Sequence, residues 1–90
     1  MLQTVSLQVR GKVQGVFYRQ STREKALALG IAGTVRNNPD GNVTITATGT
    51  SGQLDALLQW SKQGPPAAKV TAVIVQEEPL QSFNDFRVLR

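Results

Sequence analysis

Ninety residues without a single cysteine or histidine leave few chemistries open. Disulfides, thiolate zinc sites and cysteine nucleophiles are excluded, and with them the commonest transition-metal ligand and the usual near-neutral general base. Ten Lys and Arg against six Asp and Glu give a formal charge of +4; the excess suits an anionic partner but, scattered from Arg10 to Arg90 without a run, serves solubility equally well.

One domain over residues 1–90 is expected at this length, with a core that needs no covalent staple. No apolar stretch approaches the ~20 residues of a membrane helix, and the N-terminus lacks the basic-then-apolar layout of a secretory signal. A cytoplasmic location follows as an expectation.

In chain order, Thr4–Val9 alternates, with Val5, Leu7 and Val9 on one side, and reads as a strand with one buried face. Gly11-Lys12-Val13-Gln14-Gly15 comes next, two glycines bracketing three residues. A helix is predicted over Tyr18–Leu29, where Thr22, Ala26 and Leu29 fall at i, i+4 and i+7, and Gly30 stands where a left-handed C-terminal cap belongs. Ile31–Arg36 and Val43–Thr48 form a hairpin around Asn38-Pro39-Asp40-Gly41, with Pro and Gly placed for a type I turn. Thr50 caps a second helix and Gln53 reaches back to complete a capping box. Leu54, Leu57, Leu58 and Ser61 line its inner face, and Gly64-Pro65-Pro66 ends it. Val70–Gln76 supplies a fourth strand, and a short fifth piece near Phe83–Val88 lengthens the sheet.

The order β-α-β-β-α-β plus a tail implies an α+β fold, the ferredoxin-like sandwich. Two helices cover one face of a largely antiparallel sheet, with a short extra C-terminal strand.

The segment Gly11–Arg19 joins the first strand to the first helix. Glycines there let the backbone turn its N–H groups inward into a concave anion site, and the helix aims its positive N-terminal end at the same spot. Arg19, in the first helical turn, adds a planar fork of donors suited to phosphate. Taken alone, the glycine spacing describes an ordinary tight connection with a surface arginine just as well. It fits neither the dinucleotide-binding fingerprint nor the Walker loop.

The whole string Gly11-Lys12-Val13-Gln14-Gly15-Val16-Phe17-Tyr18-Arg19 closely resembles the acylphosphatase signature, a glycine, one residue, Val-Gln-Gly-Val, two residues and Arg. The likeness continues through Gly30, Gly33, Val35, Asn37, Asp40-Gly41 and Gly49, and resumes at Gly64-Pro65-Pro66-Ala67 with Val70 and Val73. The resemblance implies hydrolysis of an acyl phosphate to a carboxylate and inorganic phosphate, without metal or cofactor. It also implies the roles. Arg19 and the backbone N–H groups of Gln14, Gly15, Val16, Phe17 and Tyr18 hold the phosphate, and Asn37 orients the attacking water. On the residues alone, Asn37 before a turn is equally a backbone-bonding residue.

The chemistry suits the composition. A carboxylate leaves without protonation, so a site lacking histidine, cysteine and metal is workable for this substrate and poor for stable phosphate esters. The implied partners are a small-molecule acyl phosphate and inorganic phosphate, as product and competitor; a monomer is expected, with no membrane. A phosphate-binding module without turnover is the first alternative. RNA binding is the second, and the absence of aromatic residues on the first and third strands speaks against it.

Overall fold

A computed structural model of the chain describes residues 1–89. Seven elements follow in order: β1 (Gln3–Lys12), α1 (Tyr18–Leu29), β2 (Ala32–Asn37), β3 (Val43–Gly49), α2 (Ser51–Ser61), β4 (Lys69–Glu78) and β5 (Phe86–Leu89). The strands form one sheet in the order β4-β1-β3-β2-β5. Every neighbouring pair is antiparallel except β2 and β5, which run parallel, so the sheet is mixed at that one edge. Both helices pack on the same sheet, and the α+β sandwich expected from the element order is the fold observed.

The alternation read in the sequence sets the core. Leu7 and Val9 of β1, Val43, Ile45 and Ala47 of β3, and Val35 of β2 all turn to the helices and are buried. They meet Ala26 of α1, Leu54 and Leu57 of α2, and Phe86 of β5. Removing a side chain of this size from water stabilises the fold by roughly 1.5–3 kcal/mol each. Both helix caps occur as expected: Gly30 takes φ 76 at the end of α1, and Thr50 with Gln53 forms the complete capping box of α2.

Two boundaries differ from the sequence reading. β1 continues through Lys12, because a bulge between Arg10 and Gly11 keeps it paired to β4. Gly11 is therefore part of the sheet rather than of the connecting loop. Its φ of 125 and the closeness of the Lys69 carbonyl leave no place for a side chain. β5 begins at Phe86 rather than near Phe83, because the residues before it are used in crossing from the β4 edge to the β5 edge. Gln81 is pinned on the way, its N–H donating to Thr4 Oγ1 at 2.9 Å and its carbonyl accepting from Thr48 Oγ1 at 2.8 Å. With the Thr48 proton committed to that carbonyl, the 2.6 Å contact between the two hydroxyls is donated by Thr4. The crossing explains why Thr4 and Thr48 are buried although both lie on the polar side of the alternation.

Candidate active site

The loop left between β1 and α1 is short, Val13 to Phe17, and its backbone is unusual. Gly15 has φ 73 and Phe17 has φ 62, both in the left-handed region. Nothing lies within 4 Å of a Cβ built on Gly15, so glycine is needed there for its dihedral angle and not for space. Phe17 occupies the N-cap position of α1 in the same conformation, which costs a non-glycine residue on the order of 1 kcal/mol. The first intrahelical bond runs from Ser21 N to Phe17 O at 3.0 Å. No side chain caps the helix, and its first turn contains no acidic residue. The amides of the first turn thus stay available, beside the positive end of the helix dipole.

Above these amides lies a cleft of about 350 Å³ lined by Val13, Gly15, Phe17, Tyr18, Arg19, Gln20, Asn37 and Val88. Three separate stretches of chain meet here: the loop with the start of α1, the end of β2, and β5. The structure brings Arg19 and Asn37 together at this cleft, although 18 residues separate them in sequence.

Each expected residue has a distinct placement. Arg19 is half-buried, and its Nη1 donates to the Leu89 carbonyl at 2.8 Å, which ties the guanidinium to β5. Asn37 is the last residue of β2, on the same side as the buried Gly33 and Val35. Its Oδ1 is buried and has no hydrogen-bond partner among the described residues. Gly15 and Phe17 both line the cleft, and Phe17 is 82% exposed. Tyr18 turns its ring into the core, packs against Trp60 with ring centroids 5.5 Å apart, and donates its hydroxyl to the Ser61 carbonyl at 2.8 Å. Burial without a compensating charge pushes the Tyr18 phenol above its ordinary range. Val16 is buried and Gln14 reaches toward the hairpin turn, so neither side chain lines the cleft.

Sequence reasoning missed three lining residues. Gln20 follows Arg19 on the helix, Val13 precedes the loop, and Val88 arrives from β5. The parallel docking of β5 beside β2 is what brings Val88 in, and no local pattern announces it. Arg23 donates from Nε to the Phe86 carbonyl at 3.2 Å, so two arginines of α1 grip β5. Among the described residues no three His, Cys, Asp or Glu side chains gather to hold a metal.

The family model described as acylphosphatase matches residues 5–88. A protein of that description from Acaryochloris marina is 56% identical over 82 residues, spanning 91% of this chain and 88% of its own length. Among solved structures, an acylphosphatase from Coxiella burnetii superposes with a TM-score of 0.94 at 39% identity, covering 98% of this chain and 93% of that one. The acylphosphatase from Bacillus subtilis also reaches 0.94, at 34% identity with both chains fully covered.

Proposed function

Because the chain belongs to the acylphosphatase family, we propose that it cleaves the carboxyl–phosphate anhydride of acyl phosphates in the cleft at the start of α1. The observation that carries this reading is the meeting of Arg19 and Asn37 over an uncapped helix start.

The phosphoryl group sits on the N–H groups of Gln14, Gly15, Val16, Phe17 and Tyr18. These are donors fixed before substrate arrives and therefore cost no reorganisation during reaction. Arg19 supplies the charged part of the cradle. A guanidinium carries five N–H donors, and the Leu89 carbonyl occupies one, so the fork remains largely free for phosphoryl oxygens. The transition state of such a transfer is loose, with negative charge spread over the equatorial oxygens, so amides and guanidinium stabilise it directly.

Asn37 provides the second half of the chemistry. Its carboxamide, at the wall of the cleft, hydrogen-bonds the attacking water and sets it in line with the phosphorus. The water's proton passes to a phosphoryl oxygen, the new P–O bond forms, and the anhydride P–O bond breaks to release the carboxylate. No general acid is required, because a carboxylate is a stable leaving group at neutral pH.

In this reading the chain acts in the cytoplasm as a monomer, on a small molecule held between its own loop, β2 and β5. A nucleic-acid role gains no support from the open sheet face, where Ser6, Gln8, Thr44 and Thr46 stand in place of aromatic rings. Incubation with acetyl phosphate should release inorganic phosphate, and added phosphate should inhibit competitively because the cradle recognises the group common to both. A folded chain that releases none would overturn the proposal.

A further inference from the structure

Gln14 belongs to the cradle loop by its backbone, but its side chain does something separate. The carboxamide Nε2 donates to the Asn38 carbonyl at 2.8 Å and to the Asn42 carbonyl at 2.9 Å. Two carbonyl acceptors fix which end of the carboxamide is nitrogen, since its oxygen could pair with neither. The choice of acceptors is specific. Asn38 directly follows Asn37, and Asn42 directly precedes Val43, the residue that Asn37 faces in the β2–β3 ladder. Both carbonyls already serve the turn itself. Asn42 O accepts from Asn38 N at 2.8 Å, and Asn38 O accepts from Gly41 N at 3.1 Å. Gln14 takes the remaining lone pair of each. One side chain from the cradle thereby closes the mouth of the hairpin where Asn37 leaves the sheet.

Among the described residues nothing else bonds the Asn37 side chain. Its Oδ1 is buried without a partner, so no bond to that oxygen sets its direction, and its aim follows from the backbone that carries it. We propose that Gln14 is a positioning residue, whose carboxamide locks cradle and hairpin turn into one unit and so fixes the Asn37 side chain relative to the bound phosphoryl group. The inference rests on the roles given to Arg19 and Asn37 above. A bridge that served stability alone would hold the turn; this one also sets the distance between the water and the phosphorus, where a misplacement of ~1 Å costs about 10²-fold in rate.

Gln14→Met keeps the length of the side chain and removes both donors. With acetyl phosphate, kcat should fall about 10-fold or more, while inorganic phosphate inhibits about as well as in the parent. The decisive readout is the double substitution. In the parent, Asn37→Ala should lower kcat by roughly 10²-fold; on top of Gln14→Met it should cost less than about 3-fold more, because the water is already misplaced. Losses that simply multiply, an unchanged kcat with a lower melting temperature, or phosphate inhibition weakened in step with kcat would each overturn the inference. Asn37→Ala without effect in the parent would instead remove the role of Asn37, and this inference with it. If Gln14→Met does not fold, hydrogen exchange on the unmodified chain decides. Saturating inorganic phosphate should slow exchange at the Asn38 and Gly41 amides, which lie on the turn outside the cleft, and exchange left unchanged there would overturn the coupling.

Discussion

Asn37 and Arg19 meet at one cleft but are held in opposite ways, and that separates their expected behaviour. Arg19 is tethered at its tip to Leu89, whereas the Asn37 oxygen is buried with no partner among the described residues. An unsatisfied buried acceptor is destabilising by about 1–3 kcal/mol, so its removal should not weaken the fold. Asn37→Ala is therefore expected to melt at or above the parent temperature while kcat drops by roughly 10²-fold and phosphate inhibition stays near the parent value. Arg19→Ala should behave differently. It should raise KM and the phosphate inhibition constant together with a loss in kcat, at a stability cost of no more than ~1 kcal/mol, since its single bond is at an exposed carbonyl. Steady-state kinetics and thermal melts on the two variants check both. A folded Asn37→Ala protein with near-normal kcat would leave Arg19 alone in the site, and a parallel fall in stability and phosphate binding would make Asn37 a structural residue.

In the proposed function recognition depends on the loop from Val13 to Phe17, whose shape rests on a left-handed residue with open space beside it. Gly15→Ala should lower stability by about 1 kcal/mol through its dihedral angle alone. Phosphate affinity should fall as well, because the strained residue relaxes by turning the neighbouring amides outward; calorimetric titration with phosphate tests this. The start of α1 makes a second, independent prediction through Tyr18. Burial raises the folded-state pKa of its phenol above the unfolded value near 10. The stability this group contributes is fully present below pH ~10 and is lost as pH climbs toward the folded-state pKa. Tyr18→Phe should flatten that alkaline loss, and it should lower stability at neutral pH by about 1–3 kcal/mol by leaving the Ser61 carbonyl buried without its donor. Melting curves of parent and variant between pH 7 and ~11 would show the two lines converging. At this scale the sequence was readable where a period or a cap is strong, as in Val43–Thr48, Thr50 with Gln53, and Gly30. The loop's identity came from the ordered string around Gln14-Gly15-Val16, because glycine spacing by itself is compatible with any tight connection. What escaped notice was set by contacts between distant segments. The bulge at Gly11 answers to β4, and the burial of Thr4 and Thr48 answers to Gln81. The reach of Gln14 spans 24 residues to Asn38. None of these leaves a mark in the residues on either side.

Taken whole, the cradle proposed above consists of amides and one guanidinium, and no trio of metal-binding side chains gathers among the described residues. Prolonged treatment with a strong chelator should accordingly leave phosphate release from acetyl phosphate unchanged, and activity that is lost and then restored by a divalent cation would refute this. Among the described residues no helix is long and apolar enough to cross a membrane. The same architecture has a bearing on how the chain is made. β1 is synthesised before every other element, yet it sits inside the sheet, bonded on one edge to β3 and on the other to β4, which ends at Glu78. A ribosome adding about 5–20 residues per second leaves that strand waiting several seconds for its second partner. During the wait Val5, Leu7 and Val9 stand on a ribbon with at least one unpaired edge, the kind of surface that joins to a neighbouring nascent chain. The hazard for this protein therefore falls within its own synthesis and ends when β4 closes the open edge of the strand that was made first.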